Sequence, residues 1–386
     1  MTRRRRLPGA VALLMVTIVL ASAAITEAAP APKPLLNLRE GAADPATVAR
    51  LTAVNDRWAR ENPGRMPCRK CEIRPPGSNL LWVYYRRQGF FPNWVSAARD
   101  LLRRQRAGEV ETYQAGVREI VSYGKLRTSP DGLRYRINES PYLAPDSTPP
   151  PWRDAMGQGL ILTLFVPAIT AEATPEQVAE AKALATEYLN SFAVHWRDGG
   201  VMTDGSAGGR WYLEYATEKG DKARVLNGFM QTLVSMNRFS DQADTLASDP
   251  EWAALRDRAR EYVRLGALEL NAHIDKYDYG VDQLSRYSLA KPDPAPAVYQ
   301  TYHRQLLLRL QDIEYLPKDW REHFSAVRVM WGGSEDSFDF VRWWTILLAV
   351  LVLVGLILTF RRWQVVRVRE RSMPVRTDRP QPDTHT

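Results

Sequence analysis

Cysteine is almost missing from this chain: of 386 residues only Cys68 and Cys71 carry a thiol, spaced as C-x-x-C around Arg69 and Lys70. A zinc site needs a second ligand pair that no other cysteine supplies, and c-type haem attachment needs histidine where Glu72 follows Cys71. A local disulfide between Cys68 and Cys71, or a redox role, remains. A charge excess is missing too. The formal +8 sits at the two ends: Arg3 to Arg6 form one cluster, and from Arg361 onward seven arginines face Glu370, Asp378 and Asp383, so residues 7 to 360 sum to zero. A nucleic-acid reader carries its positive charge on the folded face, so this distribution excludes nucleic acid as the partner. Sequence self-similarity strong enough to establish repeats is also absent.

What is present is ordinary folded composition, 45% apolar and 25% charged, enough for a sizeable core. The arginines at 3 to 6 precede an uncharged stretch from Leu7 to Thr26 holding Ala21-Ser22-Ala23, the pattern of an export signal or N-terminal anchor over residues 1–29. Trp343 to Phe360 are eighteen uncharged, mostly aliphatic residues flanked by tryptophans and followed by Arg361 and Arg362, which predicts a membrane-spanning helix over 341–361. The positive-inside rule then places the tail 362–386 in the cytoplasm and the working part outside it, with a single-pass cell-membrane anchor.

Between these ends, residues 30–83 read as a Pro/Arg-rich linker holding the C-x-x-C turn, 84–316 as the folded domain and 317–340 as a juxtamembrane segment. Apolar spacing predicts helices from Trp94 and, after a break at Gly108, through Val110, Tyr113, Val117 and Ile120. Leu133, Tyr135 and Ile137 alternate after the turn Pro130-Asp131-Gly132, as a short strand does. Further helices are expected over 155–166, over 174–196 with Thr174-Pro175-Glu176-Gln177 as capping box, over 224–239, over 250–274 from a start marked by Ser248 and Glu251, and from about Val298. Such pairs suggest a mainly α fold, an (α/α) toroid-like domain, exported, with one C-terminal transmembrane helix. Aromatics make up 10% of the chain, and many lie in loops where sugar rings stack on them or where they fill the core.

Four stretches stand out in order: Gln88-Gly89-Phe90-Phe91-Pro92; Trp152 followed by Ala155-Met156-Gly157-Gln158-Gly159; Trp211-Tyr212-Leu213-Glu214-Tyr215; and Val225-Leu226-Asn227-Gly228-Phe229-Met230. Together, over roughly Tyr84 to Leu310, they resemble the C-terminal helical domain of the D-glucuronyl C5-epimerases, which invert the uronic-acid carbon of glucuronosyl residues within a polymer. Such chemistry must abstract a very weakly acidic proton next to a carboxylate and return one on the opposite face. That calls for neutralisation of the carboxylate and two acid–base groups, for which tyrosines serve, and for no redox cofactor.

The resemblance implies Tyr215 as the catalytic tyrosine of a Tyr-Glu-Glu-Tyr motif and Glu214 as its adjacent glutamate. It implies Tyr287 as a second tyrosine after the turn Asp278-Tyr279-Gly280, with Arg286 pairing the substrate carboxylate. A Tyr-His-x-x-His pattern falls on Tyr299 to His303, making Tyr299 and His303 the matched positions, with Tyr302-His303 as the competing alignment. Asn227 and Gln158 are expected at the mouth or as helix caps, and Trp211 against the sugar. The implied partner is a uronic-acid-containing polysaccharide; no metal ligands and no cofactor are assigned. Leu213 replaces the motif's first glutamate, Ala216 a proline, and Gln300 a histidine, and the segment before Tyr84 is too short for the family's β-domain, so heparan-type substrates are not implied. A polysaccharide lyase, a glycoside hydrolase using Glu214 with Asp198 or Asp204, and a non-catalytic glycan-binding protein remain open.

Overall fold

The computed structural model describes residues 72–332 apart from 76, 86–87, 145–147, 170–172, 218–223 and 281–282, together with Ala49, Thr52, Ala53, Asp56, Arg57 and Arg60. The leader, both cysteines and the stretch 341–361 lie outside the described residues.

Helix α1 (Trp94–Arg106) starts where the Asn93 side chain accepts the N–H of Ser96 at 2.8 Å, and buries Trp94, Ala97, Ala98, Leu101 and Leu102. Ala107 ends it and Gly108, at φ +78°, turns the chain through a conformation costly for residues with a Cβ, so α2 (Val110–Tyr123) folds back on α1. Helix α3 (Ala155–Leu162) has no polar face because every residue is buried, with α1, α4 (Pro175–Asn190) and α5 (Leu226–Asp244) packed around it. Helix α6 (Pro250–His273) lies on α5, α7 (Ala297–Gln311) on the other side of α5, and α8 (Lys318–Met330) on α7 and α6. Helices α1, α3, α5 and α7 thus adjoin in succession as an inner layer, with the even-numbered helices outside.

Small antiparallel sheets fill the connections. Strands β1 (Glu72–Ile73), β2 (Trp82–Tyr85) and β3 (Gly89–Pro92) form one, with Trp82 opposite Pro92. Strands β4 (Lys125–Thr128) and β5 (Arg134–Ile137) flank the expected turn, β6 (Glu139–Ser140) pairs β7 (Trp152–Arg153), and β8 (Met202–Asp204) pairs β9 (Arg210–Tyr212).

The expected toroid with a transmembrane helix is corrected on these observations. The described residues are about 55% helical, and the helices form a two-layered body with four sheets inserted between them. No helix among the described residues is long and apolar enough to cross a membrane. Even α6, the longest at 24 residues, carries Arg256, Asp257, Arg258, Arg260 and Glu261 in succession. The folded body also runs past residue 316, because Phe324, Val327 and Trp331 are buried in the main core.

Candidate active site

Backbone hydrogen bonds between distant segments assemble the site. Arg153 and Ala216 exchange N–H to carbonyl bonds at 2.9 Å in both directions, and the N–H of Ala155 reaches the Leu213 carbonyl at 2.9 Å. Glu214 and Tyr215 are thereby held beside the start of α3. The N–H of Leu226 donates to the Tyr287 carbonyl at 3.0 Å, so Tyr287 is fastened to the start of α5. Arg224, just before that start, sits at φ +41°, a left-handed conformation costing about 1–2 kcal/mol. Its carbonyl accepts the Tyr277 hydroxyl at 2.6 Å.

These stitches line up a chain of aromatic rings. Tyr85 and Tyr142 stack with centroids 3.6 Å apart and share a hydroxyl hydrogen bond of 2.7 Å; Tyr142 meets Trp152 edge-on at 5.4 Å, and Trp152 meets Tyr215 at 5.1 Å. Tyr215 is hydrogen-bonded to Tyr287, whose ring meets that of Tyr299 in the first turn of α7 at 4.8 Å and whose hydroxyl bonds Tyr299 as well. Tyr142, Trp152 and Tyr215 are buried, with Tyr85, Phe91 and Tyr287 half-buried against them. Glu214 enters from below: Gly228 in the first turn of α5 leaves the space its carboxylate occupies, and a Cβ there would collide with it.

Electrostatics set these phenols apart from surface tyrosines. Burial first, then the charge of Glu214 and the hydrogen bond to Tyr287, raise Tyr215 far above the ordinary tyrosine range, so it holds its proton firmly. Tyr299 is raised by burial and Glu214, but the hydrogen bond from Tyr287 opposes the rise. Burial pushes Tyr85 up to about 12. Asp154, the N-cap of α3, accepts the N–H of Met156 at 2.8 Å and is buried; that burial pushes its carboxyl up to about 7 against the backbone N–H groups of Gly157 and Met156 and the charge of Arg99. Its charge in turn raises Tyr85, Tyr142 and Tyr215.

The expected site residues divide. Glu214, Tyr215, Tyr287 and Tyr299 come together. Tyr302, one turn further along α7, joins their rim: it donates to Gln231 Oε1 at 2.5 Å, accepts from Arg99, and has the Arg99 guanidinium 5.5 Å from its ring centre. Arg286 flanks Tyr287 and makes no ion pair among the described residues, and its Nε is buried without a partner. Asn227, buried in the first turn of α5, has its Oδ1 without a partner among the described residues. Three residues do not line the cleft. Trp211 is fully buried, stacked on Phe229 at 3.8 Å under the Arg224 guanidinium. Gln158 is fully buried and donates to the Asn138 carbonyl at 3.1 Å. His303 is buried behind the site, its Nδ1 2.7 Å from Ser285 Oγ; burial depresses its imidazole to about 3, so it is neutral. With Gln300, which holds Ser285 through four hydrogen bonds to it and Ala295, it braces the segment carrying Tyr287.

Arg99, Gln231, Tyr85, Tyr142 and Asp154 escaped the sequence reading. For Tyr142 the signal was its place in a loop; Tyr85 ends strand β2 and carried none, and Asp154 has the signature of a capping residue and nothing more. The hydrolase arrangement does not form around Glu214. Asp198 lines a separate depression with Arg127, Arg153 and Arg197, and Asp204 is exposed on β8. Among the described residues no three His, Cys, Asp or Glu side chains gather to hold a metal ion.

Clustered phenols beside the carboxyl groups of Glu214 and Asp154 make a site for moving protons. Residues 131–333 match the family described as D-glucuronyl C5-epimerase C-terminus, and the chain belongs to that family. The matched range includes β5, the loops bearing Tyr215 and Tyr287, and helices α3 to α8; Gln88 to Pro92 fall before it. No curated protein was found to match the chain.

Proposed function

We propose that this protein inverts C5 of D-glucuronosyl residues within an extracytoplasmic polysaccharide, using Tyr215 and Tyr287 as the two proton-transfer groups. The observation that carries this reading is the hydrogen-bonded array Tyr215, Tyr287, Tyr299 beside Glu214 in an aromatic cleft. The Arg3 to Arg6 cluster followed by an uncharged stretch supports export.

A sugar entering the cleft takes the place of the Tyr215 to Tyr287 bond, so that the two phenol oxygens face opposite sides of C5. Tyr287, reacting as the phenolate, takes the C5 proton and becomes a neutral phenol, and the electron pair left on carbon moves into the uronate carboxylate. Arg286 and Arg99, which lack ion-pair partners among the described residues, are the cations available to neutralise that enolate-like charge. Tyr215, kept protonated by burial and Glu214, returns a proton to the other face. Once the product leaves, the hydrogen bond between Tyr287 and Tyr215 re-forms and carries the proton back. One proton leaves C5, one arrives, and nothing is oxidised or reduced.

The test is incubation of the full-length protein in heavy water with glucuronate-containing polysaccharides, following deuterium at C5 by NMR. Incorporation with iduronate-type signals is expected. Tyr215→Phe should lower it by at least about 100-fold while binding persists. Ultraviolet absorbance from an unsaturated uronate would instead identify a lyase.

A further inference from the structure

One charged side chain takes no part in the proposed proton transfer and yet is buried more deeply than any other acid among the described residues: Glu269, fully enclosed in the last turns of α6. Taking a carboxylate out of water is unfavourable unless charge-assisted hydrogen bonds replace the water. Here they come from the turn that joins β8 to β9. The backbone N–H groups of Ala207 and Gly209 donate to Glu269 Oε1 at 2.6 Å and 3.1 Å, and His273, one turn further along α6, has its Nε2 3.3 Å from Glu269 Oε2. Ser206 Oγ lies 2.6 Å from the same His273 nitrogen.

The turn is shaped to this contact. Gly205-Ser206-Ala207-Gly208-Gly209 brings its backbone so close to α6 that a Cβ at Gly205 or Gly209 would collide with the Glu269 side chain. The Gly205 N–H donates to the Gly209 carbonyl at 3.0 Å, so the carboxylate grips a closed loop. Glycines that permit the close approach also leave the turn little side-chain packing of its own, and Glu269 supplies what they lack. The other end of the hairpin docks on the same helix: the Tyr212 hydroxyl donates to the Tyr262 carbonyl at 2.8 Å, and a side chain at Gly266 would press on the Tyr212 ring. Positions 262, 266, 269 and 273 recur at helical spacing, so one face of α6 is a rail along which β9 lies. Strand β9 runs straight into the site. Leu213, the next residue, is tied to Val201 through its N–H and to Ala155 through its carbonyl, and Glu214 and Tyr215 follow.

We infer that Glu269 is a positioning residue for the reaction: by fixing the turn 205–209 to α6 it sets where β9 ends, and hence where Glu214 and Tyr215 stand against Tyr287. Its effect on rate rests on the proposed epimerase function, whereas its hold on the backbone does not. Both N–H groups of the turn bond a single oxygen, so glutamine can replace Glu269 as acceptor, while alanine leaves them without one and lets the turn lift from the helix. A displacement of about 1 Å passed along β9 to the phenols costs about 100-fold in rate.

The experiment follows backbone amide exchange, by mass spectrometry on overlapping peptides, and steady-state C5 deuterium exchange with a glucuronan, both on full-length protein. Glu269→Ala should speed amide exchange at least about tenfold over 205–209 and over 213–216 while α5 keeps its protection. Its kcat should fall at least about tenfold with KM within about twofold of wild type, because the reacting groups have moved and the sugar contacts have not. Glu269→Gln should recover kcat to within about threefold. Gly205→Ala pushes the carboxylate aside without removing it, so it should reproduce the loss by itself and add nothing to Glu269→Ala. If Glu269→Ala does not fold, the rescue in Glu269→Gln and the loss in Gly205→Ala decide the matter. A loosened turn with wild-type kcat, a glutamine variant no better than alanine, additive losses, or protection lost throughout α5 each overturn the positioning role and leave the epimerase reading standing. Absence of C5 exchange in wild type sinks the epimerase reading; amide exchange over 213–216 then decides the positioning role alone, faster in the alanine variant supporting it and unchanged overturning it.

Discussion

Asp154 and His303 titrate in opposite senses, and their signs can be read separately. Asp154, raised to about 7 from an ordinary value of about 4, keeps a proton in the folded chain that the unfolded chain loses, so its contribution to stability falls as pH rises through that window. His303, lowered to about 3 from about 6.5, refuses a proton that the unfolded chain accepts, so stability falls as pH drops through its window. Asp154→Asn retains a capping side chain and loses the titration. Its melting temperature should therefore gain on wild type as pH rises from about 4 to about 7; a pH-independent difference would show that Asp154 is not raised. At Gly228, alanine would collide with the Glu214 side chain from its Cβ to its carboxylate, so turnover should drop by about 100-fold and the melting temperature should fall as well, despite alanine's better helix propensity. Site residues were legible where a motif held adjacent functional groups, as in Glu214-Tyr215. They were misplaced where a motif position was taken for a ligand contact: Trp211, Gln158 and His303 lie in or beside the matched stretches, yet the packing of α5, the Asn138 carbonyl and Ser285 turn them inward.

Among the elements, α4 starts on the capping box read from sequence, with Thr174 and Gln177 bonding each other's backbone N–H groups and Pro175 in the first turn. Thr174→Ala should cost about 1 kcal/mol, seen as a lower melting temperature with C5 exchange unaltered, because the box lies on the outer layer. That signal is local, and so it survives in the sequence. The start of α6 shows how close competitors defeat it: Asp249, not Ser248, caps the helix by accepting the Glu251 N–H at 2.8 Å. The chain read as one helix over 174–196 stops at Asn190, because a turn and the 3-10 segment Trp196–Asp198 follow, closed by Gly199 at φ +91°. Strands β6 to β9 were invisible because two or three residues carry no alternation, and each exists only through its antiparallel partner.

At the scale of the molecule, α8 belongs to the core and not to a connection. Phe324, Val327 and Trp331 each remove about 1.5–3 kcal/mol worth of apolar surface from water, a large part of a typical domain's net stability of about 5–15 kcal/mol. A chain stopped after Leu316 should lose cooperative unfolding, which circular dichroism checks. The two backbone stitches, Arg153 to Ala216 and Leu226 to Tyr287, have a consequence for how the protein fails. Each joins segments some sixty residues apart in sequence, so the chemistry has no local hinge at which it can be lost first. Heat inactivation should follow the same curve as loss of the fold, with no temperature at which an intact body outlives its catalyst.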